Sequence, residues 1–212
     1  MSAPRMPGQG EAAIELERAL RCLWGAYVYL RDNNLSSVSG TSRLLNERNL
    51  NYLRSRLAEE LDELAGVLAG THRHVGIAED VLLEGSQVCY WIYLMSLCLG
   101  TGYARLGPHR HILGGLRAQR EPGLPAVPSP ALAALADPRP PFSPASQLAE
   151  RLHGAARTTR EVPESYLLPV LQNGLRLVGL CCLAFGVDVR EIVRHDLDQM
   201  KERSYMRPYF QC

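Results

Sequence analysis

Hydrophobic positions recur with helical spacing along most of the chain. This pattern predicts a helix from Glu11 to about Asp32, a second from Glu47 to Ala69 and a third from Ile77 to about Leu99. It resumes at residue 144 and predicts further helices over 144–160, 163–185 and 188–204, the last one capped by Asp188. No segment shows the sustained alternation of a strand. The predicted fold is therefore an all-α bundle of about six helices with a central insertion rich in proline and glycine.

The insertion covers residues 101–143. Nine of the fourteen prolines fall between Pro108 and Pro144, and a proline inside a helix removes a hydrogen-bond donor and clashes with the preceding turn. We expect a linker or long insertion here, with one short helix at 131–136. The other predicted parts are a flexible tail (1–10), N-terminal helices (11–100) and C-terminal helices completing the same bundle (144–212).

Composition and charge narrow the classes of protein. Hydrophobic residues make up 46% of the chain and charged residues 21%, and 23 basic against 22 acidic residues leave a net charge of +1. This balance gives no general attraction to nucleic acid or to an anionic membrane. The apolar runs 88–100 and 165–187 are expected to be buried helices, because the first is short for a span and the second contains Arg176. The N-terminus lacks the apolar core of a signal peptide and the six cysteines form no CxxC pair, so we expect a cytoplasmic protein with reduced thiols.

An acidic cluster interrupts the amphipathic pattern of the second helix. At about 100° per residue, Glu60 lies about 60° from the centre of the leucine stripe, Glu63 about 120° and Glu59 about 160°, all on one side. Asp62 lies on the opposite side. This row is either a solvated face, with a salt bridge from Arg56 to Glu60, or a set of oxygen ligands for a hard cation.

The third helix favours the cation. Glu84 and Gln87 share one face just before an almost entirely apolar run that begins at Val88. A buried carboxylate is costly unless it is paired or bound to a metal. A short turn would place the second and third helices side by side and antiparallel, with Glu84 facing Glu60 and Glu63. Carboxylates this close repel one another, and divalent cations would relieve the repulsion.

Two motifs resemble those of a known superfamily. The stretch "EELDE" (59–63) fits EExxE, and "EGSQ" (84–87) stands in the place of ExxD. EExxE…ExxD is typical of the all-α nucleoside triphosphate pyrophosphohydrolases, which include MazG-like enzymes, phosphoribosyl-ATP pyrophosphohydrolases and dimeric all-α dUTPases. The segment 185–210 is similar to the end of these proteins, where a helix leads into a basic stretch that contacts phosphates.

The resemblance implies a catalytic and metal-binding set, together with a set that binds substrate. The metal would be Mg²⁺, or Mn²⁺ in its place, and its ligands would be Glu59, Glu60, Glu63, Glu84 and Gln87, of which the four glutamates are also the catalytic residues. The substrate would be bound by Lys201, Arg203, Arg207 and Asn34. For Lys201 and Arg203, the alternative is a solvated basic helix end, which the helix dipole also favours.

The implied activity is cleavage of a nucleoside triphosphate, or a related nucleotide, to a monophosphate and pyrophosphate in a house-cleaning role. A nucleotide is then the substrate, and a homodimer or higher oligomer is expected because these families build sites between subunits. No nucleic-acid or membrane partner is expected.

One departure from the motif keeps a second function open. Gln87 stands where the superfamily has aspartate, which leaves a one-metal site, an acid supplied by Asp196 or Asp198, or loss of activity. The alternative function is a catalytically degenerate helical interaction or regulatory module of the same fold. The His-x-His pairs at 71–74 and 108–111 lack an apparent third ligand and are expected to be solvated loop residues.

Overall fold

The computed structural model describes residues 9–117 and 144–211, and regular structure in these two ranges is entirely helical. The predicted all-α fold is thereby confirmed. In chain order the α-helices are α1 (Gln9–Asp32), α2 (Gly40–Glu47), α3 (Leu50–Ala69), α4 (Ile77–Cys98), α5 (Tyr103–Leu106), α6 (Pro108–Arg117), α7 (Pro144–Glu161), α8 (Leu167–Phe185), α9 (Val189–Lys201) and α10 (Arg207–Phe210). Short 3₁₀ helices at Glu164–Tyr166 and Ser204–Met206 precede α8 and α10.

The long helices pack around one apolar core. Helix α3 lies between α4 and α7, α8 packs on α4, α6 and α7, and α9 closes the bundle against α1 and α4. The leucine stripe of α3 is buried from Leu53 to Leu68, while Leu50 at the start of the helix is partly exposed. The stripe therefore faces the core as its spacing predicts, and the acidic residues of α3 lie at the edge of that core.

The ends of α3 are fixed by local hydrogen bonds. The side chain of Asn49 accepts a hydrogen bond from the backbone N–H of Tyr52 at 3.1 Å, which caps the first turn. Gly70 ends the helix with φ of 76°, a left-handed conformation that glycine adopts without a steric penalty. The short connection to Ile77 lays α3 and α4 side by side, as the predicted hairpin requires.

Helix α4 and the segment Glu164–Phe185 are long and apolar enough, by length and composition alone, to span a membrane. Core helices have the same properties, and 78% and 56% of the two apolar windows are buried within the protein. Pro169 is the third residue of α8, in the first turn, where a missing N–H leaves no helical hydrogen bond unmade.

Helix α2 lies partly inside a segment whose turn-forming residues predict a loop over 32–42. The Ser39 side chain accepts a hydrogen bond from the backbone N–H of Ser42 at 3.2 Å and so caps this helix. The Ser42 hydroxyl donates to the carbonyl of Leu30 at 2.7 Å. The serines and glycine that suggested a loop therefore begin a short helix and attach it to α1.

Residues 103–117 also differ from the prediction of a linker or insertion. Gly107 ends α5 with φ of 60°, and Pro108 then begins α6 instead of breaking a helix. Proline is well tolerated at the first helical position, where its missing N–H would have no partner. The rest of the predicted insertion, including the short helix predicted at 131–136, lies outside the described residues.

The last long helix begins as the sequence predicts. The carboxylate of Asp188 accepts a hydrogen bond from the backbone N–H of Arg190 at 2.9 Å, which caps α9. The helix ends at Lys201, earlier than the predicted residue 204. Because of that earlier end, Arg203 lies in the turn after α9 and not on its surface.

Candidate metal centre and adjoining pocket

Three carboxylates converge between α3 and α4. Glu60 and Glu63 lie one turn apart on α3, and Glu84 faces them from α4, with one carboxylate oxygen of each lying within 4.8 Å of the others. Glu60 and Glu84 are each only 3% exposed, whereas Glu63 is partly exposed. We call these three residues the carboxylate cluster. An arrangement of this kind can hold a divalent cation through oxygen ligands.

Burial and mutual repulsion perturb the protonation of this cluster. Burial, followed by the charge of Glu63, raises the pKa of Glu60 to about 7, although Arg56 and Trp91 act in the opposite direction. Burial and Glu63 also raise the pKa of Glu84, against a smaller opposing effect of His72. Near neutral pH the cluster thus holds its negative charge at a free-energy cost, which a bound cation would offset.

Arg56 and Trp91 hold Glu60 in place. The Arg56 guanidinium donates to Oε1 of Glu60 at 2.5 Å, and the Trp91 indole N–H donates to the same oxygen at 3.2 Å. Arg56 also pairs with Glu59, whose other partner is the Ser55 hydroxyl. The predicted salt bridge from Arg56 to Glu60 is present. Glu59 lies outside the converging oxygens, held by Arg56 on the more exposed side of the helix.

The angular separation of Asp62 is also observed. Its carboxylate pairs with the Arg160 guanidinium and the His153 imidazole of α7, each at 2.7 Å. Burial would raise the pKa of Asp62, but these hydrogen bonds hold it below its ordinary value. Asp62 therefore joins α3 to α7 and takes no part in the carboxylate cluster.

Two histidines of the α3–α4 turn reach Glu84, although the sequence indicated solvated loop residues there. The Nε2 atom of His72 lies 3.3 Å from a Glu84 oxygen, and Nε2 of His74 lies 3.6 Å from the same oxygen. The two Nε2 atoms are 2.9 Å apart. Glu84 is thus the third polar group that the His-x-His pair appeared to lack in the sequence.

A cavity of about 570 Å³ shares Trp91 with the carboxylate cluster, although Glu60, Glu63 and Glu84 do not line it. Trp91, which contacts Glu60, forms part of its wall, and so does Gln87, one helical turn after Glu84. Arg43 and Arg203 bring cationic groups to the lining, and Tyr52 packs edge-on against Trp91 with ring centroids 6.1 Å apart. A volume in this range suits a nucleotide-sized ligand.

A half-buried acid, Asp196, lines the same cavity. Asp196 accepts a short hydrogen bond from the Tyr27 hydroxyl, and burial raises the pKa of its carboxyl above the ordinary value. Its neighbour His195 also lines the cavity, and Nε2 of His195 lies 2.8 Å from Nε2 of Gln199. Asp196 and Asp198 were the two acids that could replace the aspartate missing at position 87. Asp196 lines the cavity, whereas Asp198 is exposed and pairs with Lys201 at 2.8 Å.

The predicted substrate-binding residues divide in the same way. Arg203 lines the cavity, whereas Lys201 is exposed and paired with Asp198. Arg207 is exposed at the start of α10, and Asn34 accepts a hydrogen bond from the Ser36 hydroxyl in the turn before α2. The structure thus brings Arg203 and Gln87 together around one cavity and leaves Lys201, Arg207 and Asn34 outside its lining.

Some site residues were not predicted, and their signals in the sequence were weak. Arg43 lies midway along α2 and Tyr52 lies in the first turn of α3, and the packing of both helices on α4 brings these residues to the cavity. The indication for His72 and His74 was their position in a short turn between two acid-bearing helices. No family model, curated protein or solved structure matches this chain, so its function has to be inferred from the site itself.

Proposed function

We propose that the protein is a Mg²⁺-dependent nucleotide pyrophosphohydrolase. The observation that supports this most directly is the convergence of Glu60, Glu63 and Glu84 next to Trp91, which also lines a cavity of about 570 Å³ with cationic and aromatic walls. Three carboxylates are a suitable donor set for Mg²⁺, and the raised pKa of Glu60 indicates a cluster that gains from positive charge.

Each part of the site has a role in this proposal. Glu60, Glu63 and Glu84 would hold the cation, whereas Glu59 is paired with Arg56 and Gln87 lines the cavity. Bound Mg²⁺ would supply charge neutralisation at the phosphates and activation of the attacking water. Arg203 and Arg43, whose exposed side chains line the cavity, would bind the phosphate end, whereas Lys201 and Arg207 lie outside its lining. Tyr52 and Trp91 offer ring surfaces against which a base can stack.

The test is a screen of the purified protein against nucleoside triphosphates with Mg²⁺ or Mn²⁺, with detection of pyrophosphate. We expect release that Glu63→Gln lowers by about 100-fold or more, because the variant loses a charged ligand at the centre that activates the water. Glu150→Gln, an exposed change on α7, is the matched control and should retain activity. Release equal in wild type and Glu63→Gln, or none with any triphosphate, would contradict the proposal.

A second candidate function is a non-catalytic interaction or regulatory module. Two features favour it. Gln87 is neutral where the superfamily motif has aspartate, and the Arg56 guanidinium already balances the negative charge of Glu59 and Glu60. Under this alternative, neither Mg²⁺ nor Mn²⁺ would stabilise the protein against heat, and no triphosphate would be cleaved. The homodimer that the resemblance implies belongs to the first proposal, and sedimentation velocity of the full chain would test it.

A further inference from the structure

The turn between α3 and α4 presents a set of donors different from the oxygen-only carboxylate cluster. Nε2 of His72, Nε2 of His74 and a carboxylate oxygen of Glu84 all lie within 4.8 Å of one another. The separate distances are 2.9 Å between the two nitrogens and 3.3 and 3.6 Å from these nitrogens to the Glu84 oxygen. All three donor atoms therefore lie around one small volume.

These separations are close to those of ligands on one metal ion. Zinc binds histidine nitrogen at about 2.0–2.1 Å, so two donors of a tetrahedral ion lie roughly 3.3 Å apart. The nitrogen pair needs to open by only a few tenths of an ångström to accept the ion.

The backbone that presents the histidines is held by hydrogen bonds to a buried carboxylate and to a backbone carbonyl. Asp80, 1% exposed, accepts hydrogen bonds from the backbone N–H groups of His74 at 3.0 Å and Val75 at 3.1 Å. The N–H of His72 donates to the carbonyl of Gly66 at 3.1 Å. Gly66 has no side chain, and a Cβ there would lie 2.9 Å from Cβ of His72, so the glycine permits the close approach.

We propose that His72, His74 and Glu84 form a binding site for a first-row transition-metal ion, with Zn²⁺ as the expected occupant. Two imidazoles and one carboxylate with an open fourth position are a zinc donor set, whereas Mg²⁺ prefers oxygen ligands alone. The site goes beyond the proposed hydrolase activity and does not rest on it. Since Glu84 belongs to both groups, an ion here would lie beside any cation held by Glu60 and Glu63.

The test is a titration of the full-length, EDTA-treated protein with Zn²⁺ in competition with a chromogenic chelator, without nucleotide. We expect one equivalent to bind, with an affinity that His72→Gln and His74→Gln each lower by more than about 10-fold, because each removes a direct ligand. His153→Gln is the matched control, since this histidine is partly exposed and pairs with Asp62 on another face of α3. Zn²⁺ binding that is weak in wild type, or unchanged in both histidine variants, would overturn the site.

Two further measurements keep the result clear. Co²⁺ in place of Zn²⁺ should give ligand-field bands without the thiolate charge-transfer band, and a thiolate band would overturn the assignment by pointing to cysteine ligands. Glu63→Gln should still bind Zn²⁺, since Glu63 is outside this donor set. If Glu63→Gln binds Zn²⁺ and wild type releases no pyrophosphate, only the hydrolase proposal fails. If wild type releases pyrophosphate and Zn²⁺ affinity is unchanged in His72→Gln and His74→Gln, only the zinc-site proposal fails.

Discussion

The protonation of Glu60 makes the stability of the protein depend on pH. Burial and the charge of Glu63 raise the pKa of this carboxyl to about 7 in the folded state, above its ordinary value of 4.5. A group with a raised folded pKa stabilises the fold fully below its unfolded pKa, and the contribution is lost as pH rises through the folded value. Between about pH 4.5 and pH 7, Glu60 therefore makes the metal-free protein progressively less stable.

Glu60→Gln is expected to remove this dependence. Relative to wild type, the variant should gain stability on going from pH 5 to pH 8, on the order of 2 kcal/mol after allowance for solvent near the cluster. Urea unfolding of EDTA-treated protein at both pH values would measure it. Glu150→Gln, on an exposed face, should follow wild type. Equal pH dependence in wild type and Glu60→Gln would show that Glu60 titrates normally.

At the scale of elements, α6 and α8 meet at a close crossing between glycines. An added Cβ at Gly179 would collide with the backbone carbonyl of Ile112, and one at Gly115 with the carbonyl of Arg176. Backbone atoms cannot move aside as a flexible side chain can. The two glycines thus set the distance at which α6 packs on α8.

Gly179→Ala is therefore expected to destabilise the protein by about 1–3 kcal/mol, the usual range for overpacking. Gly114→Ala is the control on α6, since a Cβ there meets nothing within 4 Å. It should be neutral or slightly stabilising, because alanine favours the helix. Thermal unfolding of both variants would measure the difference, and equal midpoints would contradict a steric crossing.

The elements that the sequence predicted are those with long-range periodicity. The leucines of α3 recur over five turns, so one face of the helix is specified and Asp62 is separated from Glu60 and Glu63 by angle alone. Glu84 of α4 could be predicted as a site residue because it precedes an apolar run. Helices α2, α5 and α6 were not predicted because they are too short for periodicity to outweigh their glycines and prolines. Pro108 in particular begins a helix in a segment where proline content indicated a break.

The site was predictable only as far as the hairpin geometry extended. Antiparallel packing of α3 and α4 was enough to bring Glu84 to Glu60 and Glu63. The positions of His72 and His74 depend on Asp80 and the backbone of the turn, which local spacing does not describe. Lys201, which was predicted to bind phosphates, lies in an exposed ion pair with Asp198. The cavity depends on the packing of α2 and α9 on α4, a tertiary feature with no local pattern.

At the scale of the whole molecule, the proposed cation would link two central helices. Its ligands Glu60 and Glu63 lie on α3 and Glu84 lies on α4, and both helices pass through the core. A ligand that binds only the folded state stabilises it in proportion to the logarithm of its concentration. Because protons compete for the same carboxylates, the stabilisation should grow as pH rises through the raised pKa of Glu60.

We therefore expect Mg²⁺ at about 100 times its Kd to stabilise the protein by roughly 2.7 kcal/mol, which corresponds to about 5–10 °C in Tm. The shift should be larger at pH 8 than at pH 6. Glu63→Gln should reduce this shift in Tm. Gln87→Asp should increase the shift if the neutral amide of Gln87 limits Mg²⁺ binding. Differential scanning calorimetry with Mg²⁺, and with K⁺ at matched ionic strength, separates specific binding from screening. A shift equal with the two salts would leave Arg56 as the partner that compensates Glu60 and would favour the non-catalytic module.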